Sequence, residues 1–223
     1  MQWNYVQTEA KKQRYLVFAM DQSQTPVMTQ PGPWGKAHSG FCAGCAVYWI
    51  ALRYIEADFA FDRTTLEVNM PDWWTTRDQN VFDDMYARDE FPLNLNYPFS
   101  LYSLTVNLGM VTCKSSALSG EMLTGAGQAT GCYYIALRKP QGGHAIAMQN
   151  LGGGKWRLFD ANYGEFFTEC DQDFVDFVDW YAGNTGYRTE YAETTRIVGI
   201  NPPPFVAGTF EAHAEDLIKK VGS

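Results

Sequence analysis

Residues 131–167 read GCYYIALRKPQGGHAIAMQNLGGGKWRLFDANYGEFF, and this stretch decides the fold. Residues 132–137, 144–148 and 155–160 are short runs of aromatic, aliphatic and β-branched side chains. Between them lie Pro140-Gln141-Gly142-Gly143 and Gly152-Gly153-Gly154, compositions that favour tight hairpin turns. Residues 165–167 extend the pattern by a fourth strand. Further on, Phe174, Phe177, Val178 and Tyr181 recur at helical spacing, with Asp171 or Asp173 placed to cap the helix. Residues 195–200 form a last strand, Pro202-Pro203-Pro204 breaks the chain, and 211–220 reads as a short helix. Upstream, Cys45, Trp49, Leu52 and Ile55 trace an apolar stripe on a helix that starts at Cys42, with Arg53 and Glu56 off it and Gly40 turning into it. A second helical zone covers 79–88, after Pro71-Asp72-Trp73-Trp74 and before Pro92 and Pro98. The first forty residues are polar and turn-rich except for a strand-like run at 15–20. A helix followed by an antiparallel sheet predicts an α+β class. The expected organisation is a single catalytic domain over 1–223, with an N-terminal extension at 1–38 and a C-terminal tail at 202–223.

The chain has 223 residues, enough for one domain at ~150 residues each. At 46% hydrophobic, 15% aromatic and 19% charged it lies far from the profile of disorder. Its 17 Lys and Arg against 25 Asp and Glu give a formal net charge of −8 with no dense basic run, which disfavours a nucleic-acid partner. No window approaches the ~18–20 apolar residues of a spanning helix, so no integral membrane segment is expected. Met1-Gln2-Trp3-Asn4-Tyr5 does not open a cleavable secretory signal. Five cysteines, an odd number, read as reduced thiols in a protein made in a cytoplasm without a cleaved signal.

The local chemistry starts at Ser39-Gly40-Phe41-Cys42-Ala43-Gly44-Cys45, which places a cysteine in the first turn of an apolar helix. The helix N-terminus carries about half a positive charge and favours a thiolate, the form of sulfur that attacks carbonyl carbon. His144 opens a strand directly after a Gly-Gly turn, and Asp160 ends the next strand sixteen residues on. Adjacent antiparallel strands bring those two side chains together, so that the carboxylate orients the imidazole and stabilises its charged form. Asn162 follows within hydrogen-bonding range of the same turn, while alone it reads as a turn-shaping residue.

These blocks resemble the YopT/AvrPphB family of bacterial effector cysteine proteases. The likeness lies in Gly-x-Cys with Trp49 seven residues after Cys42, in Gly143-His144-Ala145, and in Phe159-Asp160-x-Asn162-Tyr163-Gly164-x-Phe166. It implies a papain-like fold, with the helix that carries the nucleophile packed on the C-terminal sheet. It also implies a Cys–His–Asp triad of Cys42, His144 and Asp160, with Asn162, Cys45 and His38 as supporting candidates. Cys42-Ala43-Gly44-Cys45 is also similar to the Cys-Gly-Ser-Cys of papain, in which the second cysteine attacks. The spacing to Trp49 and the place of Cys45 on the apolar stripe favour Cys42. The same segment has a weaker likeness to NlpC-type murein peptidases, again with the nucleophile at Cys42. One departure concerns the oxyanion donor: the Gln or Asn common five or six residues before a papain-like nucleophile is replaced here by Ala37 and Lys36, leaving His38 and Gln30 as substitutes.

The resemblance implies a hydrolase without cofactor or metal that cleaves an amide bond in a target-cell protein after secretion or injection. A cognate immunity protein or chaperone is an accompanying expectation. Its rivals are a peptidoglycan stem-peptide endopeptidase or amidase acting in the periplasm of rival bacteria, an acyl transferase, and a catalytically weak binding module. A thioredoxin-like reading of Cys42-x-x-Cys45 lacks the preceding βαβ context, and a zinc reading lacks further ligands at metal spacing.

Overall fold

The computed structural model describes residues 2–24, 41–54, 56, 61–62, 67–68, 95–100, 102–114, 117–140 and 142–202. In chain order the elements are α1 (Gln2–Lys12), β1 (Leu16–Ala19), a 3-10 turn (Gln22–Gln24), α2 (Cys42–Tyr54), β2 (Phe61–Asp62) and β3 (Glu67–Val68). Then follow α3 (Asn96–Ser100), β4 (Thr105–Lys114), α4 (Gly120–Ala126), β5 (Gly131–Lys139), β6 (Gly142–Gly152) and β7 (Lys155–Asp160). The last are β8 (Gly164–Thr168), α5 (Asp171–Asn184), α6 (Tyr187–Glu190) and β9 (Thr194–Asn201). Seven strands form one sheet in the order β1-β8-β7-β6-β5-β9-β4, every neighbour antiparallel. Together with the helices this makes an α+β protein.

The three central strands lie where their sequences put them. Lys139 pairs with Gly142 across the first turn, and Gly153 and Gly154 take positive φ in the second. Both faces of the sheet are covered, which explains why β5 and β6 read as continuous apolar runs rather than an alternation. Tyr134, Ala136, Ala145, Ala147 and Phe159 belong to the cluster shared with α2 and α3. Tyr133, Ile135, Leu137, Ile146, Met148 and Leu158 belong to the cluster with α1, α4, α5 and α6. The small alanines on the first face let α2 lie close against β6.

The apolar stripe expected along α2 is broader than its periodicity implies: Cys42 through Leu52 are buried without interruption. The helix is enclosed between the sheet and α3 rather than lying on a surface. Helix α5 starts at Asp171, and its cap is Cys170 rather than Asp171 or Asp173, with Cys170 Sγ accepting from the Asp173 N–H at 3.3 Å. The stretch at 1–38 is not wholly an extension, because α1 packs on the body and β1 is an edge strand paired with β8. Strand β4 and helix α4 are further elements of the fold, beyond those expected from the sequence. The helices expected at 79–88 and 211–220 fall outside the described residues.

Gly164 holds the edge together. It has φ +123, and a Cβ there lies 2.0 Å from the Phe18 carbonyl oxygen in β1. Gly164→Ala is expected to cost at least ~2 kcal/mol through strain and overlap. Thermal melting checks it, and a midpoint equal to wild type contradicts the tight β1–β8 contact.

Candidate active site

Cys42 is the first residue of α2, and the Phe41 carbonyl before it accepts the Cys45 N–H at 2.9 Å. The sulfur therefore sits at the electropositive end of a thirteen-residue helix. His144 lies near the start of β6, and Asp160 ends β7. Ala147 pairs with Phe159. One step further in that register, Asp160 falls beside Ile146, two residues from His144 on the same face.

The side chains meet there. His144 Nε2 is 2.9 Å from Asp160 Oδ1, and the Cys42 sulfur lies near enough to the same imidazole to act on its charge. Cys42, His144 and Asp160 are 7%, 3% and 0% exposed, so their charges act on one another with little screening by water. Burial works against a charged His144. The Asp160 carboxylate and the Cys42 sulfur outweigh it and push the imidazole pKa up to about 10. Burial likewise opposes an ionised Asp160. The charge of His144 and the hydrogen bonds from His144, Tyr181 and the Asn162 backbone nonetheless hold the carboxyl below its ordinary value.

Both oxygens of that carboxylate are used. Oδ1 accepts from the Asn162 N–H at 2.7 Å as well as facing His144, and Oδ2 accepts from Tyr181 O–H at 2.5 Å. Tyr187 completes the enclosure, with its hydroxyl 3.1 Å from His144 Nε2 and its ring centroid 5.1 Å from the imidazole. Tyr191 stacks on the imidazole with centroids 5.9 Å apart. Aromatic faces of this kind favour an imidazolium. Burial, followed by the Asp160 charge, drives the phenols of Tyr181 and Tyr187 well above their ordinary pKa, so both remain neutral, and Tyr181 donates to Asp160. The apolar stripe of α5 marks Tyr181 as a core residue, and no sequence pattern singles out Tyr187.

Of the supporting candidates, Asn162 is drawn into the constellation through its backbone and through Nδ2, which donates to Tyr187 at 2.8 Å. Cys45 is 1% exposed, and burial, with the neighbouring Cys42 second, pushes its thiol far up, so it stays protonated and serves as packing. His38, Gln30, Lys36 and Ala37 lie outside the described residues. An amide absent from the sequence expectation does stand next to Cys42: Gln22 Oε1 accepts from the Phe41 N–H at 2.6 Å. No local motif points to it, because the contact spans nineteen residues. All five cysteines are unpaired thiols. Among the described residues no three His, Cys, Asp or Glu side chains gather so as to hold a metal ion, and no helix is long and apolar enough to cross a membrane.

Residues 107–197 match the Peptidase_C58 family, described as Yersinia/Haemophilus virulence surface antigen. The matched span includes His144, Asp160, Tyr181 and Tyr187, and it ends upstream short of Cys42. No curated protein matches the chain by sequence. Among solved structures, the Pseudomonas avirulence protein AvrPphB aligns over 85% of this chain and 98% of its own, at 15% identity and a TM-score of 0.58. At that identity the likeness is one of fold, and the fold is papain-like.

Proposed function

We propose that this chain, a cysteine peptidase similar to the YopT/AvrPphB effectors by its match over residues 107–197 and its shared fold, works through Cys42, His144 and Asp160. The observation that carries the reading is a buried imidazole 2.9 Å from a buried carboxylate, beside the cysteine that begins α2. The Cys42 sulfur attacks an amide carbonyl carbon, forming a C–S bond and a tetrahedral oxyanion. Collapse breaks the C–N bond as His144 hands its proton to the departing amine, leaving a thioester. His144 then takes a proton from water, the hydroxide adds to the thioester, and C–S cleavage releases the acid and restores the sulfur anion. Asp160 holds the ring orientation and its charge throughout. The substrate class is a protein of a target cell, reached by secretion or injection.

The peptide stem of bacterial cell wall is the second reading, supported by the weaker likeness around Cys42. Expression of wild type and Cys42→Ala in cytoplasm and in periplasm separates the two. Toxicity of wild type in the cytoplasm supports a protein target, and toxicity confined to the periplasm moves the assignment to cell wall. Iodoacetamide is expected to label Cys42 fast near neutral pH without any reduction of insulin. Insulin reduction at a thioredoxin-like rate overturns the hydrolase.

The alkaline limb gives a signed test. Asp160 is the strongest influence holding the proton on His144, so Asp160→Asn leaves burial dominant and lowers the imidazole pKa. The alkaline limb of kcat/KM is therefore expected at lower pH in Asp160→Asn than in wild type. An unmoved limb shows that Asp160 is misassigned.

A further inference from the structure

A continuous set of side-chain hydrogen bonds runs from the sulfur-bearing helix to the imidazole, and it starts at Gln22. Gln22 is 6% exposed in the turn after β1, and its own N–H donates to the Ala161 carbonyl at 2.9 Å. Its Oε1 accepts from the N–H of Phe41, the residue before Cys42, while its Nε2 donates to Asn162 Oδ1. Asn162 Nδ2 then donates to the Tyr187 hydroxyl at 2.8 Å, and that hydroxyl lies 3.1 Å from His144 Nε2. From behind, Gln7 Nε2 in α1 donates to the Met20 carbonyl at 3.2 Å and the Tyr163 carbonyl at 2.8 Å, pinning the same two stretches together.

A helix and a strand share no backbone ladder, so their spacing depends on packing and side-chain bridges. One bridge joins Trp49 of α2 to Glu165 of β8 at 2.7 Å, seven residues or about 10 Å along the helix from Cys42. The Gln22 bridge lies at the reacting end. We infer that Gln22 is a positioning residue that ties the start of α2 to the β7–β8 turn and so sets the separation between the Cys42 sulfur and the His144–Asp160 pair. This rests on the catalytic reading of those three residues. The side chain must accept on one side and donate on the other, which an amide does and a carboxylate does not.

The test compares Gln22→Ala, Gln22→Glu and Asn162→Ala with wild type in casein hydrolysis and in the pH dependence of iodoacetamide alkylation at Cys42. Each variant is expected to lose roughly 10²-fold in kcat with little change in KM, because the reacting atoms are misplaced while the substrate surface is untouched. Each is also expected to shift the pH midpoint of alkylation, a quantity that lost stability alone does not move. Gln22→Ala combined with Asn162→Ala is expected to be no worse than either alone, since both cut one bridge. Gln22→Glu keeps the acceptor for Phe41, nearly preserves shape, and carries the test if the alanine variant does not fold. Fast labelling of Cys42 with an unmoved pH midpoint in the Gln22 variants overturns the bridge and leaves the catalytic reading standing. Fast labelling of a different cysteine in wild type overturns both.

Discussion

Cys42→Ala is expected to abolish hydrolysis, with turnover of an unfolded protein substrate falling by roughly 10⁴-fold or more. Cys45→Ala is expected to retain most of the activity. The two residues share one helix turn but differ in surroundings. Cys42 begins α2 and lies near an imidazole whose pKa is raised by the Asp160 carboxylate, so a sulfur anion there has both a counter-charge and a helix terminus. Cys45 lies deeper, 1% exposed, and burial holds its proton on. Alanine at 42 also removes little volume, so the variant is expected to melt within ~1 kcal/mol of wild type and to serve as an inert, folded control. Retained activity in Cys42→Ala together with its loss in Cys45→Ala transfers the nucleophile to the second cysteine.

The second large effect concerns stability. Glu165 is 2% exposed in β8, and its Oε2 accepts from Trp49 Nε1 at 2.7 Å. Its Oε1 accepts from Arg157 and lies 3.8 Å from Arg53 Nη1, a guanidinium whose side chain is 8% exposed. Trp49 stacks on Phe159 at 5.6 Å, directly before Asp160. Glu165→Ala removes the acceptor for a buried indole N–H and a counter-charge of a buried guanidinium. Breaking a buried pair from one side typically costs ~3–5 kcal/mol. At this chain length that is a fall of roughly 10 °C in Tm. Glu165→Gln keeps an acceptor for Trp49 and is expected to lose less. A denaturant midpoint for Glu165→Ala equal to wild type contradicts a stabilising role for the cluster.

The legible parts were those encoded by short-range pattern. Strands β5 to β9, helices α2 and α5, and the meeting of His144 with Asp160 all follow from turn glycines, apolar runs and a sixteen-residue separation. The resemblance added the roles. What escaped was tertiary. Helix α1 carries few apolar side chains, and Val6 and Ala10 are buried only because the body of the fold is there to receive them. Strand β4 alternates at Val106, Leu108 and Met110, but Gly109 interrupts it and its register is broken between Asn107 and Thr112. The periodicity of α2 showed the face of its largest residues and missed that Ala43, Gly44, Ala46 and Ala51 are enclosed as well. Tyr181 and Tyr187 reach the acid and the imidazole from elements 21 and 43 residues away, and residue type alone does not distinguish a site tyrosine from a core one.

The wiring of Gln7 to Tyr163, 156 residues apart, has a bearing on biosynthesis. The sulfur is made early, its acid and base partners about a hundred positions later, and Tyr187 later still. A chain emerging from the ribosome therefore cannot assemble the constellation until residue 187 has cleared the exit tunnel. Contacts of such sequence separation form slowly. Enzymatic competence, followed in a refolding experiment, should lag behind the first appearance of helix, as the closing event of maturation rather than an early one.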